Sequence, residues 1–225
     1  MYPGKWAGEF PGKSAVIHAV TGEAVTYAEL NDRSNQLAQL MWAEGLRPGD
    51  HAAIFMENHL RYFEVVWAAL RSGLYLTTIN RYLTDEEAGY ILDNCEAKVL
   101  ITSSKLADVA ARLPEFAPNC GRWLMVDDAI DGYQAYEAAI GAHPAEPLAD
   151  EPAGQFMLYS SGTTGRPKGI LRPLSGAKIH EDAGPVGALQ QMLWGFDQET
   201  IYLSPAPLYH SAPISFCTAT LALGG

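Results

Sequence analysis

The sequence predicts an α/β fold in parallel layers, on three observations. Segments with strand-like apolar runs alternate with segments of helical periodicity for most of the 225 residues. Two Thr-x-x-Glu boxes mark helix starts inside that alternation. The composition, 48% hydrophobic and 18% charged, is that of a chain able to build a sizeable core, burying roughly 70% of its unfolded surface.

Taken in order, Ala15, Val16, Ile17 and Val20 read as a first strand after a turn-like MYPGKW. Thr26 and Glu29 box a helix running to about Ala43, with Leu30, Ser34, Leu37 and Met41 on one face and Gly45 closing it. His51–Met56 is strand-like, Tyr62, Val65, Val66, Ala69 and Leu70 keep helical spacing up to Gly73, and Leu74–Thr78 is extended again. Thr84 and Glu87 box the next helix. Val99–Thr102 reads as a strand, Ser104 as the cap of a helix through Leu113, and Trp123–Val126 as another strand. Residues 143–152, HPAEPLADEP, carry three prolines and three acids without periodicity and read as a surface connector. Phe156–Tyr159 follows as a short buried strand, then a helix around Leu189–Trp194 and a strand over Ile201–Leu203. The chain ends at LALGG against an apolar helix, which reads as a large domain cut before its next strand.

A net charge of -11 disfavours nucleic acid or an anionic membrane as partner. The N-terminus has no apolar signal region, so the cytoplasm is the expected location. Ile214–Leu223 is too short to span a bilayer, and no transmembrane segment is expected. Cys95, Cys120 and Cys217 lack the pairing of a disulfide framework or zinc site and are expected to be reduced packing residues. A homodimer is compatible with these properties.

One segment breaks the acidic pattern. Tyr159–Ile170 reads YSSGTTGRPKGI, which places the hydroxyls of Ser160, Ser161, Thr163 and Thr164, the glycines Gly162, Gly165 and Gly169, and Lys168 in one loop. Glycines let the backbone approach a ligand, and successive NH groups form a concave anion site. Pro167 has no NH and constrains the loop just ahead of Lys168. From Pro152 to His180 there is no acid, yet Arg166, Lys168, Arg172 and Lys178 all fall there. The distant negative charge is screened beyond about 8 Å, whereas a lysine about 4 Å from a phosphate gains about 4 kcal/mol at an effective dielectric of 20. As bare composition the cluster would read as a flexible linker; its position straight after an apolar strand favours a polyphosphate site. A relaxed Walker A pattern at residues 7–14, AGEFPGKS, lacks the strand-to-helix context of a P-loop and has Pro11 in the supposed cradle.

The order Ser-Gly-Thr-Thr-Gly-x-Pro-Lys-Gly resembles the phosphate loop of the adenylate-forming, AMP-binding enzymes, and NRYLTDEEAGYILDNCEAKVLITS is similar to fatty-acyl-CoA synthetases. That resemblance implies the layered parallel-sheet architecture of the family's large N-terminal domain, here its front part and incomplete at the C-terminus. It also implies ATP with Mg2+ as nucleotide, CoA as co-substrate and a small-molecule carboxylic acid, a fatty acid above all, activated to an acyl-adenylate and then transferred to CoA. Ser160, Ser161, Gly162, Thr163, Thr164, Gly165, Lys168 and Gly169 would bind the ATP phosphates. In PLYHS, the resemblance places Tyr209 and His210 at the acyl substrate. By itself His210 reads rather as a hydrogen-bonded histidine in a proline-rich turn; its place roughly 40 residues beyond the phosphate loop and directly after a strand, as the resemblance requires, favours the substrate role. The family's catalytic lysine and its adenine, ribose and magnesium motifs are not found in these 225 residues. An aryl-CoA ligase, a peptide-synthetase adenylation domain and an inert nucleotide- or partner-binding fragment stay open as alternatives. Asp127 and Asp128, and the run His180–Asp182, are weaker metal candidates and read as solvated; His18, His51, His59 and His143 are isolated.

Overall fold

The computed structural model describes residues 2–160, 165–181 and 184–225. Strands β1 (Ser14–Ile17) and β2 (Ala24–Thr26) form a small antiparallel pair after helix α1 (Pro3–Glu9). The segment MYPGKW is therefore helical from Pro3, not turn-like. Proline at the first helical position needs no NH partner, and the Trp6 indole of that helix finds the Ala222 carbonyl at 2.8 Å, a partner remote in sequence.

Helix α2 (Tyr27–Ala43) starts at the expected box: the Glu29 NH donates to Thr26 Oγ1 and the Thr26 NH to Glu29 Oε2 at 2.8 Å. Strand β3 (His51–Phe55), helix α3 (Tyr62–Arg71), strand β4 (Tyr75–Ile79), helix α4 (Asp85–Asn94) and strand β5 (Ala97–Ser103) follow. The box at Thr84 and Glu87 opens α4 in the same way. After β5 the structure departs from the sequence reading. A 3-10 turn over Ser104–Leu106 leads into short helices α5 (Ala107–Ala110) and α6 (Leu113–Phe116), and no side chain caps the turn. The Ser103 hydroxyl donates to Glu57 at 2.5 Å instead. Strand β6 (Arg122–Val126), the short β7 (Gln134–Ala135) and helix α7 (Tyr136–Gly141) close this part.

With β8 (Gln155–Phe156) these strands form a six-stranded parallel sheet in the order β7-β6-β5-β3-β4-β8. Successive residues face opposite layers. Ala52 and Ile54 of β3 pack with α2, α3 and α7, while Ala53 and Phe55 pack with α4, α5 and α6. Burial on both faces is why β3, β4 and β5 read as nearly continuous apolar runs. β4 lies on one side of β3 and β5 on the other, so chain order reverses there, the place where ligands enter such sheets at the carboxyl ends of the strands.

Residues 143–151 carry no helix or strand, yet α2 holds them. Asn35 donates to the Ala145 carbonyl at 2.7 Å, Gln36 to that of His143 and Gln39 to that of Glu146. At their end Glu151 pairs with the buried Arg71 at 2.6 Å. Helices α8 (Gly184–Trp194) and α9 (Ser211–Leu223) complete the described elements. The expected strand over Ile201–Leu203 is not formed: these residues are exposed and, among the described residues, have no ladder partner, without which a strand leaves its amides unpaired.

Cys95, Cys120 and Cys217 are free and buried. Burial pushes the Cys95 thiol up to about 11 and the Cys120 thiol up to about 12, which keeps both protonated and unreactive. Half-buried His51, stacked on Tyr75 with ring centroids 4.9 Å apart, has its pKa lowered by burial. The folded protein thus releases this proton before the unfolded chain does. Its contribution to stability is full above the ordinary histidine value of about 6.5 and is lost as pH falls from there through the folded value. Urea midpoints between pH 7 and pH 5 should fall more steeply for the wild type than for His51→Gln; parallel slopes would assign the effect to other groups.

Candidate functional site

The glycine-rich segment leaves the sheet at the carboxyl end of β4. Past β8, the Met157 NH donates to the Leu76 carbonyl at 3.0 Å, and the Met157 carbonyl accepts the Thr77 hydroxyl at 3.0 Å. The chain then departs from the sheet. Strand β9 (Leu158–Ser160) pairs antiparallel with β10 (Lys168–Ile170), with Ser160 opposite Lys168 and Tyr159 opposite Gly169. The run Phe156–Tyr159 is therefore two strands in two sheets, divided at Met157, and only Met157 of the four is buried. Ser161, Gly162, Thr163 and Thr164 lie outside the described residues.

Around them the described residues form two stems. Gly165 has φ 116°, open to glycine and strained for other residues. At Gly169 a Cβ would lie 2.4 Å from Met157 Cε and 3.0 Å from the Tyr159 ring, so glycine lets β10 lie against β9. The Arg166 guanidinium sits over the Tyr90 ring at 4.8 Å, and Lys178 is paired with Asp150. Exposed Lys168 has no ion pair among the described residues. Below the stems, the Ala153 NH donates to the Ala177 carbonyl at 2.8 Å and the Ile179 NH to that of Glu151 at 3.0 Å, which closes the base of the excursion.

PLYHS is brought to the same end of the sheet. The Thr78 hydroxyl donates to the Tyr209 carbonyl at 3.0 Å. Asn58, beyond the end of β3, clamps the preceding turn twice, donating to the Ala206 carbonyl at 3.0 Å and accepting from the Leu208 NH at 2.9 Å. His210 does not follow a strand, as expected from the sequence; it is the exposed N-cap residue of α9, with its ring 4.3 Å from that of Tyr209. Thr77 and Thr78 thus hold the two candidate segments from opposite faces of one strand. Sequence reasoning missed both. The available signal was two adjacent hydroxyls at the end of a fully buried strand, where each must find a partner.

Lys13, the lysine of the relaxed Walker A pattern, donates to the carbonyls of Gln198 and Gly224 and holds the end of α9. A cavity of about 610 Å³ lies beside it, lined by β1, residues 58–60 and 198–204 and the end of α9; neither Lys168 nor His210 reaches it. Among the described residues no three His, Cys, Asp or Glu side chains are grouped to hold a metal ion. Asp127 lies 3.7 Å from His59. The described stems, residues 158–160 and 165–170, carry Arg166 and Lys168 and no carboxylate. No helix among the described residues is long and apolar enough to cross a membrane.

A sequence-family model described as AMP-binding enzyme matches residues 4–225. The chain is 30% identical over 204 residues to a long-chain-fatty-acid–CoA ligase of Thermus thermophilus, covering 89% of this chain and 37% of that protein. It is 32% identical over 229 residues to a feruloyl-CoA synthase of an Amycolatopsis species, covering 100% of this chain and 42% of that protein. The fold superposes with a TM-score of 0.81 on a long-chain-fatty-acid-CoA ligase from Archaeoglobus fulgidus, at 19% identity, over 99% of this chain and 44% of that one. The chain therefore spans about two-fifths of the length of the curated relatives it matches.

Proposed function

Because this chain belongs to the AMP-binding enzyme family, we propose that it forms the phosphate-holding part of an AMP-forming acyl-CoA synthetase that activates a carboxylic acid, a fatty acid above all. The observation that carries this reading is the hairpin at the carboxyl end of the sheet, with exposed Lys168 opposite Ser160. In the proposed reaction a carboxylate oxygen attacks the α-phosphorus of ATP and pyrophosphate leaves. The CoA thiol then attacks the acyl carbon and AMP leaves with the bonding pair. Two steps are needed because a carboxylate oxygen is expelled poorly and AMP readily. Lys168, the hydroxyls of Ser160, Ser161, Thr163 and Thr164, and backbone NH groups at Gly162, Gly165 and Gly169 would stabilise charge on the departing phosphates. Magnesium would enter with ATP, held by phosphate oxygens. The cytoplasm, where ATP and CoA are at hand, is the location that fits this reading.

A second reading, activation of an aromatic acid, is favoured by the match to the feruloyl-CoA synthase over the whole chain. Acid-dependent exchange of labelled pyrophosphate into ATP, run with fatty and hydroxycinnamic acids on the protein that carries this chain, tests both. Exchange with neither class would sink both acid assignments and leave an adenylating enzyme for another acid or a nucleotide- or partner-binding role. Within the enzymatic reading, Tyr209 and His210 serve the acid, because Thr78 and Asn58 hold their segment at the end of the sheet that the hairpin leaves. His210→Ala is expected to raise the apparent KM for the acid roughly tenfold, the worth of about 1.4 kcal/mol, with the ATP dependence much less changed. Equal losses for both substrates would make His210 structural.

A further inference from the structure

The hairpin is fastened on one side to a single helix face. Tyr90 and Asn94 of α4 are four residues apart and so lie on the same face. Asn94 Oδ1 accepts the Tyr159 hydroxyl at 2.7 Å, which takes hold of the ascending stem through β9. On the descending stem, Tyr90 lies under the Arg166 guanidinium at 4.8 Å, and its hydroxyl reaches the Pro167 carbonyl at 3.4 Å. That last contact is long for an O–H···O bond, so the ring does most of the holding. α4 is itself immobilised, with Ala88, Ile91 and Leu92 buried against the sheet and its start closed by the Thr84 box. Lys168 directly follows the residues that Tyr90 holds, and it stands opposite Ser160, the neighbour of Tyr159.

From this geometry we infer that Tyr90 and Asn94 are positioning residues of the ATP site, holding the two stems in the pose that presents Lys168 to the phosphates. The inference rests on the reading of the hairpin as the ATP-phosphate site. A site whose competent pose is populated only a fraction of the time binds its ligand more weakly by that fraction. Loosening either stem therefore weakens ATP and leaves the acid untouched. Tyr90 also draws Arg166 onto its ring, whereas Lys168 has no ion pair among the described residues.

Initial-rate pyrophosphate exchange in the protein that carries this chain, with ATP and acid varied separately, tests this. Asn94→Ala and Tyr159→Phe should each raise the ATP KM about three- to tenfold, with the acid KM unchanged. The double variant should be no worse than either single one, because both remove the same bond. Asn94→Asp, which keeps the acceptor, should recover most of the loss. Tyr90→Leu should raise the ATP KM, whereas Tyr90→Phe should stay near wild type. Tryptic cleavage after Lys168, read by mass, should be faster in Asn94→Ala and Tyr90→Leu than in the wild type, which reports the stems without any turnover. An unchanged ATP KM in Asn94→Ala, a parallel rise in both KM values, or additive effects in the double variant would overturn the inference while leaving the proposed function intact. Absence of exchange in the unaltered protein would overturn the function itself, and the positioning role toward ATP with it.

Discussion

Lys168→Ala is expected to lower the efficiency of ATP-dependent activation, measured by pyrophosphate exchange, by roughly 10- to 150-fold. A charge-assisted hydrogen bond is worth about 1.5–3 kcal/mol, and that range converts to this factor. The side chain is exposed and without an ion pair among the described residues, so its removal should leave the fold and the thermal midpoint nearly unchanged. Lys13 supplies the contrast. On the sequence alone Lys13→Ala would be expected to do almost nothing. Its ammonium, however, holds the Gln198 and Gly224 carbonyls, so its loss should lower stability with the ATP KM preserved. The reverse ranking, with Lys13→Ala abolishing ATP use and Lys168→Ala neutral, would place the phosphates at AGEFPGKS and refute the hairpin assignment.

Glu151→Ala should be the most destabilising of the substitutions considered, at about 3–5 kcal/mol. Arg71 is only 2% exposed and Glu151 11%, and their charged groups meet at 2.6 Å. Without the carboxylate, the guanidinium keeps its bonds to Ser34 Oγ at 2.8 Å and to Asn31, but stays buried with no opposite charge. For a chain of this size the loss corresponds to a fall in Tm of about 6–20 °C. Glu151→Gln, which retains an acceptor, should lose less. Replacing both partners by apolar side chains of similar volume should recover most of the stability, because the cost lies in leaving one charge behind. A drop below about 1 kcal/mol would mean that the pair behaves as a surface ion pair. The consequence for function is positional, because the Glu151 carbonyl and the Ala153 NH tie the base of the hairpin to Ile179 and Ala177.

The sequence by itself determined the features whose causes are local. The boxes at Thr26 and Thr84 start their helices because each threonine and the glutamate three residues on satisfy one another's amides. The alternation of apolar runs with helical periods was enough for the parallel α/β layers, since both faces of β3, β4 and β5 are covered. The Ser-Gly-Thr-Thr-Gly-x-Pro-Lys-Gly order was enough for the family, because backbone freedom, hydroxyls and a cation within one loop are a local requirement for a phosphate. The tertiary structure decided what depends on partners distant in the chain. Phe156–Tyr159 is one apolar run, but it divides at Met157 because Leu76 and Thr77 claim that residue's NH and carbonyl. Pro3–Glu9 is helical with its indole bonded to Ala222, more than two hundred residues on, and no periodicity carries that information. Ile201–Leu203 has the composition of a strand and no strand beside it among the described residues, and a strand is stable only as one side of a pair. That the hairpin and PLYHS are both tied to β4 likewise rests on Thr77 and Thr78, two side chains that point to opposite faces of a single strand and bond to carbonyls 80 and 131 residues away. Such bonds form only once the sheet has brought those carbonyls within reach, which is why the sequence could name both segments and not the strand that holds them.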